Sequence, residues 1–190
     1  MTKKRKIILA SRSPRRQALL RQIGFDIEII ESGVVEDGHE NSSPIDHVLV
    51  LSREKAEAVK SKGVRGIIVG ADTIVVYNEI LLGKPKDKND AVSMLTLLSG
   101  HTHKVYTGFT ILDTESDRSL SDFEVTQVTF RNLSHQEILD YVESGSPLDK
   151  AGAYGIQDDY GAVFVEKIEG CFYNVVGFPL TKFYLAIQNF

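Results

Sequence analysis

Ile7-Ile8-Leu9-Ala10-Ser11-Arg12-Ser13-Pro14-Arg15-Arg16 is the stretch on which the reading of the fold turns. Four apolar residues in succession predict a short buried strand. Ser13-Pro14 then supplies an N-cap and a first-turn proline, so a helix begins within a few residues of the strand's end. A strand, a tight loop and a helix are the opening unit of an α/β fold. The same segment gathers unpaired backbone N–H groups, the hydroxyls of Ser11 and Ser13, and the guanidinium groups of Arg15 and Arg16. Helix N-termini attract anions through those N–H groups and the macrodipole, and arginine grips oxygen pairs in a fork. A polyphosphate suits such a segment. A capped surface helix with two solvated arginines is the plainer alternative.

Outward from this unit, apolar-periodic segments alternate with strand-like runs. The first helix, Pro14–Gln22, is predicted to stop at Gly24. Residues 25–29 alternate apolar and polar, as a half-exposed strand does. Residues 42–62 start Ser-Ser-Pro and end at Gly63, giving a long helix with Ile45, Val48, Leu49 and Ala56 on one face. Residues 66–70 read as a buried strand, followed by a second run over 73–77 and a turn at Asn78-Glu79. A helix over 89–98 closes at Gly100. Runs over 104–112 and 123–130 flank the polar turn 114–119. Ser134-His135-Gln136-Glu137 is a capping box that opens a helix reaching Ser144. Residues 162–168 and 172–176 are expected to form a hairpin around Glu169-Gly170, and Pro179 starts a last helix. Hairpin signals beside strand–helix alternation imply a mixed sheet rather than an all-parallel one. No repeat or linker divides the chain, which reads as one α/β domain over residues 1–190.

Composition narrows the function. A 190-residue chain that is 42% hydrophobic and 25% charged has the make-up of a globular protein with a real core. No run approaches the ~18 apolar residues of a membrane helix. Lys3-Lys4-Arg5-Lys6 is followed by only four apolar residues, too few for a secretion signal, and the single Cys171 fits a reducing cytoplasm. A net charge of −4 disfavours nucleic acid as a partner. Cations in such a chain must be gathered locally, which suits a small anionic ligand rather than a polymer.

Four polar clusters sit at the edges of predicted elements: Ser11 to Arg16; Gly70-Ala71-Asp72-Thr73, a carboxylate leaving a buried strand; Gly83-Lys84-Pro85; and the glycine-rich run from Leu148 to Gln157. Each alone is equally a helix cap, a solvated lysine or a bend. His101 and His103 share a strand face, but no third ligand accompanies them, and structural or solvent-facing roles fit better than a metal site.

In this order, SxSPRR, GADT, GKP and LDKAGAYGIQ resemble the Maf family of nucleoside triphosphate pyrophosphatases. Intervening words agree: Arg53-Glu54-Lys55-Ala56, Leu98-Ser99-Gly100, Val128-Thr129-Phe130-Arg131 and Val176-Gly177-Phe178-Pro179. The resemblance runs from about residue 7 to residue 187. Arg15, Thr73 and Gln157 match residues that mark the branch acting on dTTP and UTP. The resemblance implies a mixed, strongly twisted sheet flanked by helices, with two lobes and a central cleft. It also implies a site of named parts: Ser11, Arg15, Arg16, Lys55 and Lys84 contacting phosphates or holding the site together, with Ser13 and Thr73 also on the substrate. Asp72 is implied as general base, or as the group that orients the water. An ordinary aspartate titrates near pH ~3.9 and is a feeble base at neutrality, so Mg²⁺ or Mn²⁺ is implied as cofactor, on Asp72 and a second carboxylate for which Glu36 is the candidate. The Gln157 amide donates and accepts at once and matches the O4 and N3–H edge of uracil or thymine. The expected reaction is triphosphate plus water giving monophosphate and pyrophosphate. Two alternatives stay open: hydrolysis of modified nucleotides, and a regulatory nucleotide-binding protein linked to septum formation. The family further implies a cytoplasmic homodimer with neither nucleic acid nor membrane as partner.

Overall fold

A computed structural model of the chain describes residues 7–35, 42–157 and 160–190. The opening unit forms as its sequence dictates. Strand β1 (Ile7–Leu9) is fully buried, and helix α1 (Pro14–Gln22) starts at Ser13, whose side chain accepts from the Arg16 backbone N–H. Strand β2 (Ile27–Ile29) returns parallel to β1. Helix α2 (Pro44–Lys60) is capped by Ser43, which accepts from the Asp46 N–H, so the proline two residues into the predicted Ser-Ser-Pro start marks the first turn. Its buried side chains are His47, Val48, Leu51, Ser52, Lys55, Ala56 and Val59, a stripe at three- and four-residue spacing.

The two runs expected over 66–70 and 73–77 are one strand, β3 (Ile67–Tyr77), parallel to β1. Strand β4 (Ile80–Leu82) turns back antiparallel on it across Asn78 and Glu79, both with positive φ. Then follow α3 (Lys88–Leu98), β5 (Thr102–Asp113), β6 (Ser119–Phe130), α4 (His135–Glu143), three short 3₁₀ turns, β7 (Val165–Glu169), α5 (Phe172–Val176) and α6 (Leu180–Gln188). The seven strands make one mixed sheet in the order β2-β1-β3-β5-β6-β7, with β4 on β3.

The hairpin expected from residues 162–168 and 172–176 does not form. β7 pairs antiparallel with β6, and Phe172–Val176 is helical. Tertiary contacts override the local strand pattern. The Thr126 hydroxyl accepts from the Cys171 N–H and donates to the Cys171 carbonyl, both at 3.1 Å. Buried Asn174 donates to the Val105 carbonyl and the Thr126 hydroxyl, each at 3.0 Å. Those bonds need Asn174 inside and the chain turned at Gly170, where φ is 129°.

The chain forms two compact units. The first comprises the described residues of Met1–Thr73, Thr107–Glu124 and Gly177–Phe190. Its interior combines Ile8, Ala10, Ala56, Val59, Ile68 and Leu112 with an aromatic group of Phe109, Phe178 and Phe183. The second comprises Ile74–Tyr106 and Val125–Val176, around Leu95, Val105, Phe130, Ile138, Tyr141, Tyr154 and Phe164.

Candidate active site

Two glycines decide where the first unit's charged residues meet. A Cβ on Gly70 of β3 would lie 2.0 Å from the Ser52 carbonyl oxygen, and one on Gly108 of β5 would lie 2.5 Å from the Val48 carbonyl oxygen. Helix α2 therefore rests its backbone directly on the sheet, which only hydrogen in place of a side chain allows. Hydroxyls lock the contact: Ser52 Oγ is 2.9 Å from Thr110 Oγ1, which is 2.8 Å from Ser121 Oγ. Two residues beyond Gly70, on the same face of β3, Asp72 meets α2. Its Oδ1 accepts from Lys55 Nζ at 2.7 Å, and its Oδ2 lies 3.9 Å from His47 Nε2. Asp72, Lys55 and His47 are each only 5% exposed. A buried carboxylate is tolerable because the ammonium beside it compensates the charge.

The neighbouring Thr73 leaves the opposite face of β3, and a second cluster forms there. Arg16 spends three N–H groups on the protein itself. Its Nε donates to the Gly177 carbonyl at 2.9 Å, one terminal nitrogen to Ser11 Oγ at 3.2 Å, and the other to Thr73 Oγ1 at 3.0 Å. Thr73 Oγ1 is also 3.0 Å from Thr107 Oγ1 and 3.3 Å from the Gly177 carbonyl oxygen. Ser11 Oγ accepts from the Ser13 N–H at 3.2 Å, which shapes the turn into α1. Arg16 thus fastens the β1–α1 loop to the middle of β3. Arg15 is half-buried in the first turn of α1.

The remaining expected residues belong to the second unit or lie outside the described residues. Lys84 and Gln157 are exposed, while Pro85 is buried. The two motifs carrying them are pinned to each other, because the Gly152 N–H donates to the Gly83 carbonyl at 3.0 Å. Glu36, the candidate second carboxylate, lies outside the described residues. His103 is buried and its Nε2 is 2.8 Å from Tyr154 Oη, as a structural role predicts. Burial pushes its pKa down to about 4.

Sequence reading missed His47, Ser52, Thr107 and the Gly177 carbonyl. For the first two a signal exists. His47, Ser52 and Lys55 are polar residues standing at core positions of an amphipathic helix, and polar groups there require partners. Thr107 carries no local signal, and Gly177 stands in one of the family words but acts through a backbone carbonyl, which no side chain announces.

A family model described as Maf-like protein matches residues 6–190. The chain belongs to the Maf family. Among curated relatives, a dTTP/UTP pyrophosphatase of Carboxydothermus hydrogenoformans is 48% identical over 184 residues, covering 97% of this chain and 98% of that protein. Proteins of the same description from Clostridium perfringens and Thermoanaerobacter pseudethanolicus are 46% and 49% identical, over 97% and 96% of their lengths. A solved dITP/XTP pyrophosphatase structure from Mycobacterium abscessus is similar at a TM-score of 0.41 and 17% identity, covering 66% of this chain and 74% of that one.

Proposed function

We propose that this Maf protein hydrolyses nucleoside triphosphates, dTTP and UTP foremost, to the monophosphate and pyrophosphate. The observation that carries the reading is the buried Asp72–Lys55 pair at 2.7 Å, set where α2 rests on the sheet. A carboxylate desolvated and held this way suits positioning chemistry. Relatives 46–49% identical over almost their full lengths bear the dTTP/UTP pyrophosphatase name.

Lys55 fixes the plane of the Asp72 carboxylate through Oδ1, which leaves Oδ2 to accept a hydrogen bond from the attacking water and orient it. Ser11, Ser13, Arg15 and Lys84 meet the phosphates, where positive charge and N–H donors stabilise the negative charge gathering on the leaving pyrophosphate. Arg16 and Thr73 act from behind, since the Arg16 fork orients the Ser11 and Thr73 hydroxyls. Gln157 reads the O4 and N3–H edge of the base.

Among the described residues, no group of three or more His, Cys, Asp or Glu forms a metal cage. Asp72 by itself fits a hard cation that shares its coordination with substrate phosphates, the usual habit of Mg²⁺. Mg²⁺ or Mn²⁺ so held by Asp72, with Glu36 as second carboxylate, would neutralise phosphate charge and acidify water. A cytoplasmic homodimer completes the reading. Among the described residues no helix is long and apolar enough to cross a membrane.

The test is a panel of UTP, dTTP, CTP, ATP, 5-methyl-UTP and 7-methyl-GTP with Mg²⁺ in ¹⁸O-water. Pyrophosphate release led by UTP and dTTP, with label in the monophosphate, supports the reading. Release of orthophosphate, no turnover, or a preference for the modified nucleotides refutes it.

A further inference from the structure

Three pins hold the segment that precedes Gln157, all within the second unit. The Gly152 N–H donates to the Gly83 carbonyl at 3.0 Å, and the Gly155 N–H donates to Tyr141 Oη at 3.3 Å. Tyr154 Oη pairs with His103 Nε2 at 2.8 Å. The backbone between the pins is in a costly conformation. Gly152 and Ala153 have φ of 69° and 60°, and Ala153 is a fully buried non-glycine residue in the left-handed region. Nor is there slack at Gly152, where a Cβ would lie 2.8 Å from Val75 Cγ2. Such strain persists only where surroundings over-determine it, and it concentrates at functional sites.

His103 is the unexpected member. It is 1% exposed, packed edge-on against Phe130 at 5.0 Å, and its Nδ1 has no hydrogen-bond partner among the described residues. An apolar pair in place of His103 and Tyr154 would leave no polar atom stranded. What the polar pair adds is direction. Phe130 and the His103 ring confine the Tyr154 ring, at 4.7 Å and 5.4 Å, and the hydrogen bond fixes where its hydroxyl points. Gln157 stands exposed three residues further on.

We propose that His103 is a positioning residue for nucleobase selection, acting through the Tyr154 hydroxyl to hold the segment that presents Gln157. The inference rests on Gln157 being the base reader. A side-chain amide discriminates by hydrogen bonding only when its approach is held within fractions of an ångström. Holding it before binding also spares the ordering cost that a loose segment would incur with every substrate.

The experiment compares kcat and KM for UTP and CTP, which differ at the base 4-position, in wild type, Tyr154→Phe and the double variant His103→Leu/Tyr154→Phe. The double variant strands neither partner, so it keeps its fold where Tyr154→Phe is weakened. Both are expected to lose roughly tenfold of the UTP over CTP preference in kcat/KM, mainly through KM for UTP, with kcat little changed. A wild-type preference that survives intact in a folded variant overturns the inference alone. So does a proportionate loss on both nucleotides, or failure of both variants to fold, since either makes the pair merely structural. A wild-type protein that takes UTP and CTP alike overturns the Gln157 reading and this inference with it.

Discussion

Replacing Gly70 with alanine tests how the acid–lysine pair is built. The added Cβ would stand 2.0 Å from the Ser52 carbonyl oxygen and 2.9 Å from the Ala56 backbone nitrogen. Carbon–oxygen contacts close at about 3.3 Å, so α2 would have to back away by roughly 1.3 Å. Both obstacles are backbone, and no rotamer change relieves them. Gly108 holds the same helix one strand over, with Val48 carbonyl carbon 2.6 Å from its own virtual Cβ, so α2 has little room to slide. Overpacking costs about 1–3 kcal/mol, and backbone obstacles put Gly70→Ala at the upper end. For a chain of this size that lowers Tm by roughly 6–12 °C. The retreat also lengthens Lys55 Nζ to Asp72 Oδ1 from 2.7 Å past hydrogen-bond reach, and displacements near 1 Å in a site cost about 100-fold in turnover. Thermal melting by circular dichroism and pyrophosphate release from UTP read both effects. Gly83→Ala, where nothing lies within 4 Å, is the control for melting. A Gly70→Ala protein that melts within ~2 °C of wild type and keeps its turnover refutes the reasoning.

Stability should depend on pH through His103. Burial pushes its pKa in the folded protein down to about 4 from the ordinary imidazole value of 6.5, so between those values the unfolded chain binds the extra proton and stability rises with pH. The contribution, about 3 kcal/mol, is complete above pH 6.5 and lost as pH falls toward 4; Tm measured from pH 7 to 4.5 should drop, and His103→Leu should flatten the curve. Arg16→Lys retains the charge but not the three-way fork to Gly177, Ser11 and Thr73, so turnover should fall roughly tenfold or more, and unchanged kinetics would show the fork to be dispensable. Gln157→Glu keeps size but removes the donor for O4; selectivity for UTP over CTP should fall by roughly 10 to 100-fold with melting unchanged, whereas equal losses on every nucleotide would remove Gln157 from base reading.

Local signals were legible where the physics is local. Ser13-Pro14, Ser43-Pro44 and the Ser134–Glu137 box mark helix starts because each cap bonds within its own first turn. The mixed sheet followed from alternation beside turn signals. Residues 172–176 misled because a β-branched, aromatic run looks like a strand, while Thr126 and Asn174 bend it into a helix through bonds 45 and 48 residues apart in sequence. The site divides similarly. Motif order pointed to Asp72 and Lys55 as site residues, but their direct pairing depends on Gly70 and Gly108 admitting α2 to the sheet. Alternation along β3 separates adjacent Asp72 and Thr73 to opposite faces, and the partners of Arg16, the Gly177 carbonyl and the Thr73 hydroxyl, lie 161 and 57 residues away in sequence, beyond any local signal.

Asp72→Asn tests most directly whether the buried carboxylate runs the reaction. Asparagine keeps the shape and can still accept from Lys55 through its amide oxygen, so the fold should persist. Pyrophosphate release from UTP and dTTP with Mg²⁺ should fall by about 10²–10⁴-fold. A folded Asp72→Asn protein releasing pyrophosphate at the wild-type rate would contradict the mechanism.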